Sequence, residues 1–333
     1  MREVLVLKVF KAVWAHLASE FSEGPKAVKG FVEKLKDGGF DLILPLVKGT
    51  DGLFSYPTSM GTMNPALEGW DPLGALIDEA HSQGLKVHPW FCVFPEGKHS
   101  LLLKEKPELA ARDKDGNSLP WGCPAKDEVQ DFEFSLYEEV MKGYPVDGVH
   151  MDYIRYSGGG MCFCETCREA FKSKKDVDPV ELERKDPAWA DWVRWRVGNI
   201  SKFVERLSKA ARGRGLEVSA AVFTDYPMAL VWVGQDWVGW AEKGYVDYLF
   251  PMTYTNLTEL ARALTKTHIA LVGDAVPVWE GLGKSSSAST LSTEMLMEQV
   301  EAVMEAGAKG IVIFHSKALE KEDLKALKRL DMP

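Results

Sequence analysis

The stretch "PKAVKGFVEKLKDGGFDLILPLVK", residues 25–48, sets the architecture. Pro25 suits a first helical turn, and Val28, Phe31, Val32 and Leu35 recur at the spacing of one helix face. Gly38 and Gly39 end that helix. "FDLILPLVK" (40–48) then reads as a short strand, apolar on both faces. An amphipathic helix leading into a doubly buried strand is the repeat of a parallel sheet, whose neighbouring strands need a crossover between them.

The unit recurs along the chain. In "DPLGALIDEAHSQG" (71–84) Asp71 caps, Pro72 opens the helix, Leu73, Leu76, Ile77 and Ala80 form the stripe, and Gly84 closes it. "LKVHPWFCVF" (85–94) is strand three. A helix over 127–142 leads to strand four, "VDGVHMDY" (146–153), and one over 187–212 leads to strand five, "LEVSAAVFT" (216–224). "QDWVGWAEKG" (235–244) precedes strand six, "VDYLFPMTY" (246–254), and "LTELARALTK" (257–266) precedes strand seven, "IALVGDAVPVW" (269–279). "STEMLMEQVEAVMEAG" (292–307) precedes strand eight, "GIVIF" (310–314), and "EKEDLKALKRL" (320–330) closes the chain. With "VLVLKVF" (4–10) as strand one, eight units fit in 333 residues, which predicts a single-domain (β/α)8 TIM barrel. The rival, an open doubly wound sheet, usually carries a Gly-rich turn after strand one, and "VFKAVWAHL" (9–17) has none. Residues of about 157–186 form an inserted region after strand four, and "GKSSSASTLS" (283–292) reads as a loop.

A net charge of -9 and the lack of a Lys/Arg block argue against nucleic-acid and anionic-membrane partners. No apolar run reaches the ~20 residues that span a bilayer. "MREVLVLKVFKAVW" (1–14) reads as a strand rather than a leader, because Lys8 and Lys11 interrupt it and no small-residue cleavage site follows. The expectation is a cytoplasmic protein, with a homo-oligomer left open. Eight Asn and Gln residues together, against 27% charged residues, point toward a thermophile.

In a barrel of this kind the chemistry sits at the C-terminal strand ends. Lys48 and Asp51 follow strand two, and His88 and Trp90 belong to strand three. Strand four delivers His150, Asp152, Tyr153, Arg155 and Tyr156, and strand five Thr224, Asp225 and Tyr226. Tyr254 follows strand six, Trp279 and Glu280 strand seven, and His315 strand eight. Acids and aromatics dominate. Glycoside hydrolysis uses two carboxyl groups, and sugar rings stack on flat apolar faces. Strand alternation puts His150 and Asp152 on one face, and Arg155 could keep Asp152 ionised for attack. Asp152 is therefore the expected nucleophile of a retaining enzyme. Glu280, desolvated beside Trp279, is the first choice of acid/base, Asp225 the second and Asp51 the third. His88, Trp90, His150, Tyr153, Arg155, Tyr156, Tyr254, Trp279 and His315 are the candidate substrate contacts.

"VDGVHMDYIRY" (146–156) resembles the strand-four signature of glycosyl-hydrolase-like TIM barrels of the family-10-like group. "CPAKDEVQDF" (123–132) and "VDYLFPMTYT" (246–255) resemble two further segments of that group. The resemblance covers most of the barrel and implies a sugar-cleaving enzyme with Asp152 as the strand-end acid. Ser157 stands where that group has proline, and Gln130 where arginine is usual.

"CFCETC" (162–167) supplies Cys162, Cys164 and Cys167, three of the four thiolates a structural zinc prefers. Cys123 is the best fourth, because its loop leaves the same end of the neighbouring strand. The set is similar to the zinc cluster of family 42 β-galactosidases, where its role is structural. Cys92 reads as packing. Two other functions compete with a carbohydrate-cleaving enzyme. One is a carbohydrate-binding barrel without catalysis. The other is a metal-dependent hydrolase using His88, His150, Asp152 and His315, which the lack of H-x-H and H-E-x-x-H patterns disfavours.

Overall fold

The computed structural model describes residues 9–330. Eight parallel strands form the barrel: β1 (Phe10–Ala15), β2 (Leu42–Lys48), β3 (Lys86–Val87 and Trp90–Cys92), β4 (Gly148–Asp152), β5 (Glu217–Val222), β6 (Tyr248–Pro251), β7 (Trp279–Gly283) and β8 (Gly310–Phe314). Their order is sequential, and β8 pairs with β1, Val13 lying opposite Ile43 on one side and Ile313 on the other. β6 and β7 meet through the bridges Leu249–Val278 and Met252–Gly281, which nearly closes the ring. β3 breaks at His88 and Pro89 because proline has no N–H for the ladder, but the Pro89 carbonyl still accepts from His150 N at 3.0 Å.

The crossovers are α1 (Ala27–Asp37), α2 (Pro72–Ser82), α3 (Asp127–Gly143), α4 (Trp189–Arg212), α5 (Trp237–Glu242), α6 (Thr258–Val272), α7 (Thr293–Glu305) and α8 (Lys321–Arg329). Side chains alternate between two cores. Ala12, Trp14, Leu42, Leu44, Trp90, Cys92, Ala221, Phe250, Trp279 and Val312 fill the barrel. Val13, Ile43, Val149 and Ile311 point outward against helices such as α1, which contributes Phe31, Val32 and Leu35. The insertion after β4 contains its own helix, Glu165–Lys175.

Three expectations shift. The run 4–10 lies mostly outside the described residues, and β1 occupies Phe10–Ala15 instead. Ile269–Val272, expected to open strand seven, are the last turn of α6. That turn ends at Gly273, whose N–H donates to the Ile269 carbonyl at 2.8 Å, and β7 starts only at Trp279. A short apolar run fits a helix end as well as a strand, and here the buried face of α6, His268 and Val272, decides. Finally, an irregularity between Leu46 and Lys48 turns Lys48 away from the barrel axis. Its ammonium is buried with Glu96 at 2.7 Å and Glu133 at 2.6 Å.

Candidate active site

The C-terminal mouth holds a cavity of about 690 Å³, which is large enough for a sugar unit and its neighbours. Asp152, the last residue of β4, sits in its wall at 5% exposure. Its Oδ2 accepts from the Trp90 indole at 3.1 Å, and its Oδ1 from the Tyr153 N–H at 2.6 Å. Burial raises the Asp152 pKa; the Arg155 charge and these two hydrogen bonds oppose it, and the result is about 6. Arg155 was expected to hold the acid down; burial wins because the guanidinium is near but not within ion-pair distance.

Tyr153 takes a left-handed backbone, φ 49°, which reverses the chain as it leaves β4. Two residues on, the Arg155 guanidinium returns to the cavity wall, its centre 4.3 Å from the Tyr153 ring and 4.6 Å from Phe223. Tyr254, Trp90 and Phe314 supply further flat surface, and Ser286 and Ser287 polar groups. Asp51, exposed after β2, lines the same cavity and is the other carboxylate among its described lining residues.

The remaining expected contacts lie elsewhere. His150 shares a face with Asp152 but sits one layer deeper and is fully buried. Trp14 Nε1 donates to its Nε2 at 3.0 Å, so Nδ1 carries the proton toward Ser219 Oγ at 2.9 Å. Burial pushes the His150 pKa well down, and the ring stays neutral. His88, also enclosed, contacts Ser219 and Glu217. Tyr156 is buried on the outer side, its hydroxyl accepting from Asn199 at 3.0 Å. Trp279 lies at the opposite end of the barrel, stacked on Phe10 at 5.6 Å. Asp225 is exposed in an adjoining depression that shares Phe223 and Met252 with the mouth.

Glu280 is not brought to Asp152. β7 starts ten residues later than the sequence run suggested, so Glu280 stands near the start of its strand and faces α6. Its Oε1 meets His268 Nδ1 at 2.6 Å and its Oε2 accepts from Thr253 Oγ1 at 2.6 Å. Both oxygens are occupied, and the residue has no exposure.

One mouth residue escaped the sequence reading. His16 follows β1 and lines the cavity beside His315, ring centres 5.3 Å apart. Burial first, and then His315, lower its pKa to about 4, so it is a neutral hydrogen-bonding group. Placing strand one at 4–10 left position 16 well past its end, and the signal, a polar residue ending "FKAVWA" (10–15), was there to use.

Cys123, Cys162, Cys164 and Cys167 come together beside the mouth. Their sulfurs all lie within 4.8 Å of one another, and all four residues are buried. Three of the separations are 3.4, 3.6 and 3.7 Å. Four thiolates at ~2.3 Å from a tetrahedral zinc sit about 3.8 Å apart, so the set fits a metal ion. The Arg112 and Cys164 N–H groups donate to Cys162 Sγ at 3.2 and 3.4 Å, as second-layer donors to a metal thiolate do.

A parallel eight-stranded barrel with a buried acid, aromatic walls and polar loops at its C-terminal mouth is built as the TIM-barrel glycoside hydrolases are. The chain belongs to the glycosyl hydrolase-like 10 family, whose model matches residues 1–284. It is 28% identical over 229 residues to the glycosyl hydrolase DigH of Escherichia coli K12, covering 56% of this chain and 46% of that protein. It is 26% identical over 340 residues to an S-layer-related protein of Niallia circulans, covering 80% of this chain and 21% of that protein. The chain thus spans half or less of the length of these relatives. In fold it is similar to the glycoside hydrolase domain of PgaB (BpsB) from Bordetella bronchiseptica, with TM-score 0.78 and 15% identity over 97% of this chain and 99% of that one. An α-L-fucosidase isoenzyme of Paenibacillus thiaminolyticus matches with TM-score 0.69 and 17% identity over 97% of this chain and 49% of that one. No helix among the described residues is long and apolar enough to cross a membrane.

Proposed function

We propose that the protein hydrolyses a glycosidic bond in an oligo- or polysaccharide, with Asp152 as the proton-transferring carboxyl. The observation that carries this reading is Asp152 itself: a buried acid with a pKa of about 6, facing a cavity with aromatic walls. An acid tuned near the working pH can hold a proton for the leaving oxygen and accept one back. In this reading Asp152 donates the proton as the glycosidic C–O bond breaks, rather than attacking carbon. Asp51 supplies the second carboxylate. The anomeric form of the first product, read by proton NMR, separates direct attack by Asp51 from activation of water, that is, retention from inversion.

A screen of aryl glycosides and oligosaccharides, run in parallel with wild type and Asp152→Asn, tests the whole reading. Turnover in wild type and its loss in the variant support it. Sugars that bind both proteins equally, with turnover by neither, would show a carbohydrate-binding barrel instead.

The four cysteines support a zinc site whose role is structural, since four protein thiolates leave no open position for substrate. Cys123 belongs to the loop before α3, and the other three to the insertion after β4, so a bound ion would tie the two loops together. Metal analysis of the purified protein should return one zinc per chain. Stripping it with a chelator should lower the Tm and expose four titratable thiols. An unchanged Tm with no metal recovered would leave the cluster a set of buried free thiols.

A further inference from the structure

We propose that Arg155 is a carboxylate-binding subsite and that the glycan it selects carries acidic sugar residues. The proposal rests on the mouth being a saccharide site and names the chemistry of what enters it.

The observation is an unspent cation. Arg155 is 9% exposed and lines the cavity, yet its Nε is buried without a hydrogen-bond partner. Its guanidinium feels the Asp152 charge without pairing to it, and makes no hydrogen bond among the described residues. Arg196 shows what this fold does with a structural guanidinium. It is also buried, and it donates to the carbonyls of Met161 at 2.8 Å, Val231 at 2.9 Å and Trp232 at 2.7 Å. Leaving the other one unmatched costs stability, since a buried charged donor loses its water without replacement.

What holds Arg155 is aromatic. Its guanidinium centre lies 4.3 Å from the Tyr153 ring, 4.6 Å from Phe223 and 5.6 Å from Trp121. Rings fix the guanidinium plane through its faces and leave its edge of N–H donors free. A planar carboxylate meets that edge with two parallel hydrogen bonds, which a hydroxyl cannot do. Arg155 is also the one Lys or Arg among the described residues lining the cavity, whose acids are Asp51 and Asp152. An acidic sugar therefore has a single orientation of low repulsion, with its carboxylate on Arg155 and away from the two acids.

The test uses oligosaccharides of hexuronic acids and their carboxyl-reduced counterparts, which differ only in carrying a carboxylate or a hydroxymethyl group, titrated calorimetrically into the full chain. At least one acidic member should bind about 10- to 100-fold tighter than its reduced partner, the range expected of charge-assisted hydrogen bonds. Arg155→Met should abolish the difference and Arg155→Lys should keep a minor part of it, the acidic and the reduced member of each pair being compared within the same variant. If Arg155→Met fails to fold, salt decides: added salt should weaken the acidic sugars in wild type and not the neutral ones. No acidic preference in any pair, or a preference that survives Arg155→Met, overturns the proposal. Turnover of the same sugars is read separately. Hydrolysis without acidic preference sinks this inference and leaves the hydrolase standing; acidic preference without hydrolysis of any sugar does the reverse.

Discussion

Asp152 and Glu280 are both buried acids on barrel strands, and their surroundings are opposite. Each oxygen of Glu280 is held by a protein group, Oε1 at His268 and Oε2 at Thr253. His268 is held in turn by the Thr224 carbonyl at 2.9 Å. Burial alone would lower the His268 pKa, but the Glu280 contact outweighs it and raises it, and both ring nitrogens face oxygen acceptors. Asp152 has two neutral donors, a cation close by but unpaired, and a cavity in front of it. The difference teaches what separates a reactive acid from a structural one. A reactive acid must pass its proton to something that comes and goes; an acid whose oxygens are all engaged inside the protein holds elements together.

The widest gap between the two should appear in activity. Asp152→Asn should cost roughly 100- to 10,000-fold in kcat, the span of a lost general acid. Glu280→Gln keeps the shape of its site and should leave kcat within about 3-fold, because it touches nothing in the mouth. Steady-state kinetics on one hydrolysed substrate compares them directly. If Glu280→Gln is the more damaging variant per folded molecule, the assignment of roles is upside down.

Stability should show the reverse. Glu280→Ala removes one half of a buried ion pair and strands His268 and Thr253, at a cost of about 3–5 kcal/mol. Denaturant unfolding measures this, with tryptophan fluorescence as the signal. A loss below about 1 kcal/mol would mean that the pair is not ionic in solution.

The contrast also explains what the sequence could reveal. Asp152 was legible because β4 ends where its apolar run ends, and "VHMDY" (149–153) marks the end of the strand with an acid. Alternation placed His150 on the same face but carries no depth, and one layer of Trp14 and Trp90 separates a core histidine from a site residue. Glu280 was misplaced because the apolar tail of α6 and the apolar linker before β7 were joined into one strand across Gly273 and Asp274, which mark the helix end. Asp51 ranked last among the acids for the opposite reason. It lies three residues past β2 in a turn, its Oδ1 accepting from Leu53 N at 3.1 Å, and periodicity is silent on where such a turn points. The cysteine cluster was readable from the thiols' spacing, which few other structures require. Lys48 shows the limit of alternation, since a single irregularity in β2 was enough to send it outward.

The finest measure of the contrast is the pH dependence of stability. The Asp152 pKa rises from 3.8 to about 6 on folding, so the folded protein binds the proton more tightly than the unfolded chain. The stability this gives is fully present below about pH 4 and is lost as pH rises through about 6. Two pKa units correspond to about 3 kcal/mol, all of it gone by about pH 7 to 8. Asp152→Asn cannot titrate, so it should gain on wild type by up to about 3 kcal/mol between about pH 4 and pH 8, with most of the change below pH 7. The slope carries the argument rather than the absolute difference. An amide offers one acceptor where two donors, Trp90 and the Tyr153 N–H, now point, and that mismatch costs the same at every pH. Activity should follow the same proton, kcat/KM falling as pH rises through about 6. Stability curves of the two proteins that run parallel across this range would mean that Asp152 is not desolvated in solution. It would then differ from Glu280 only in place, and the reason for assigning it the proton would be gone.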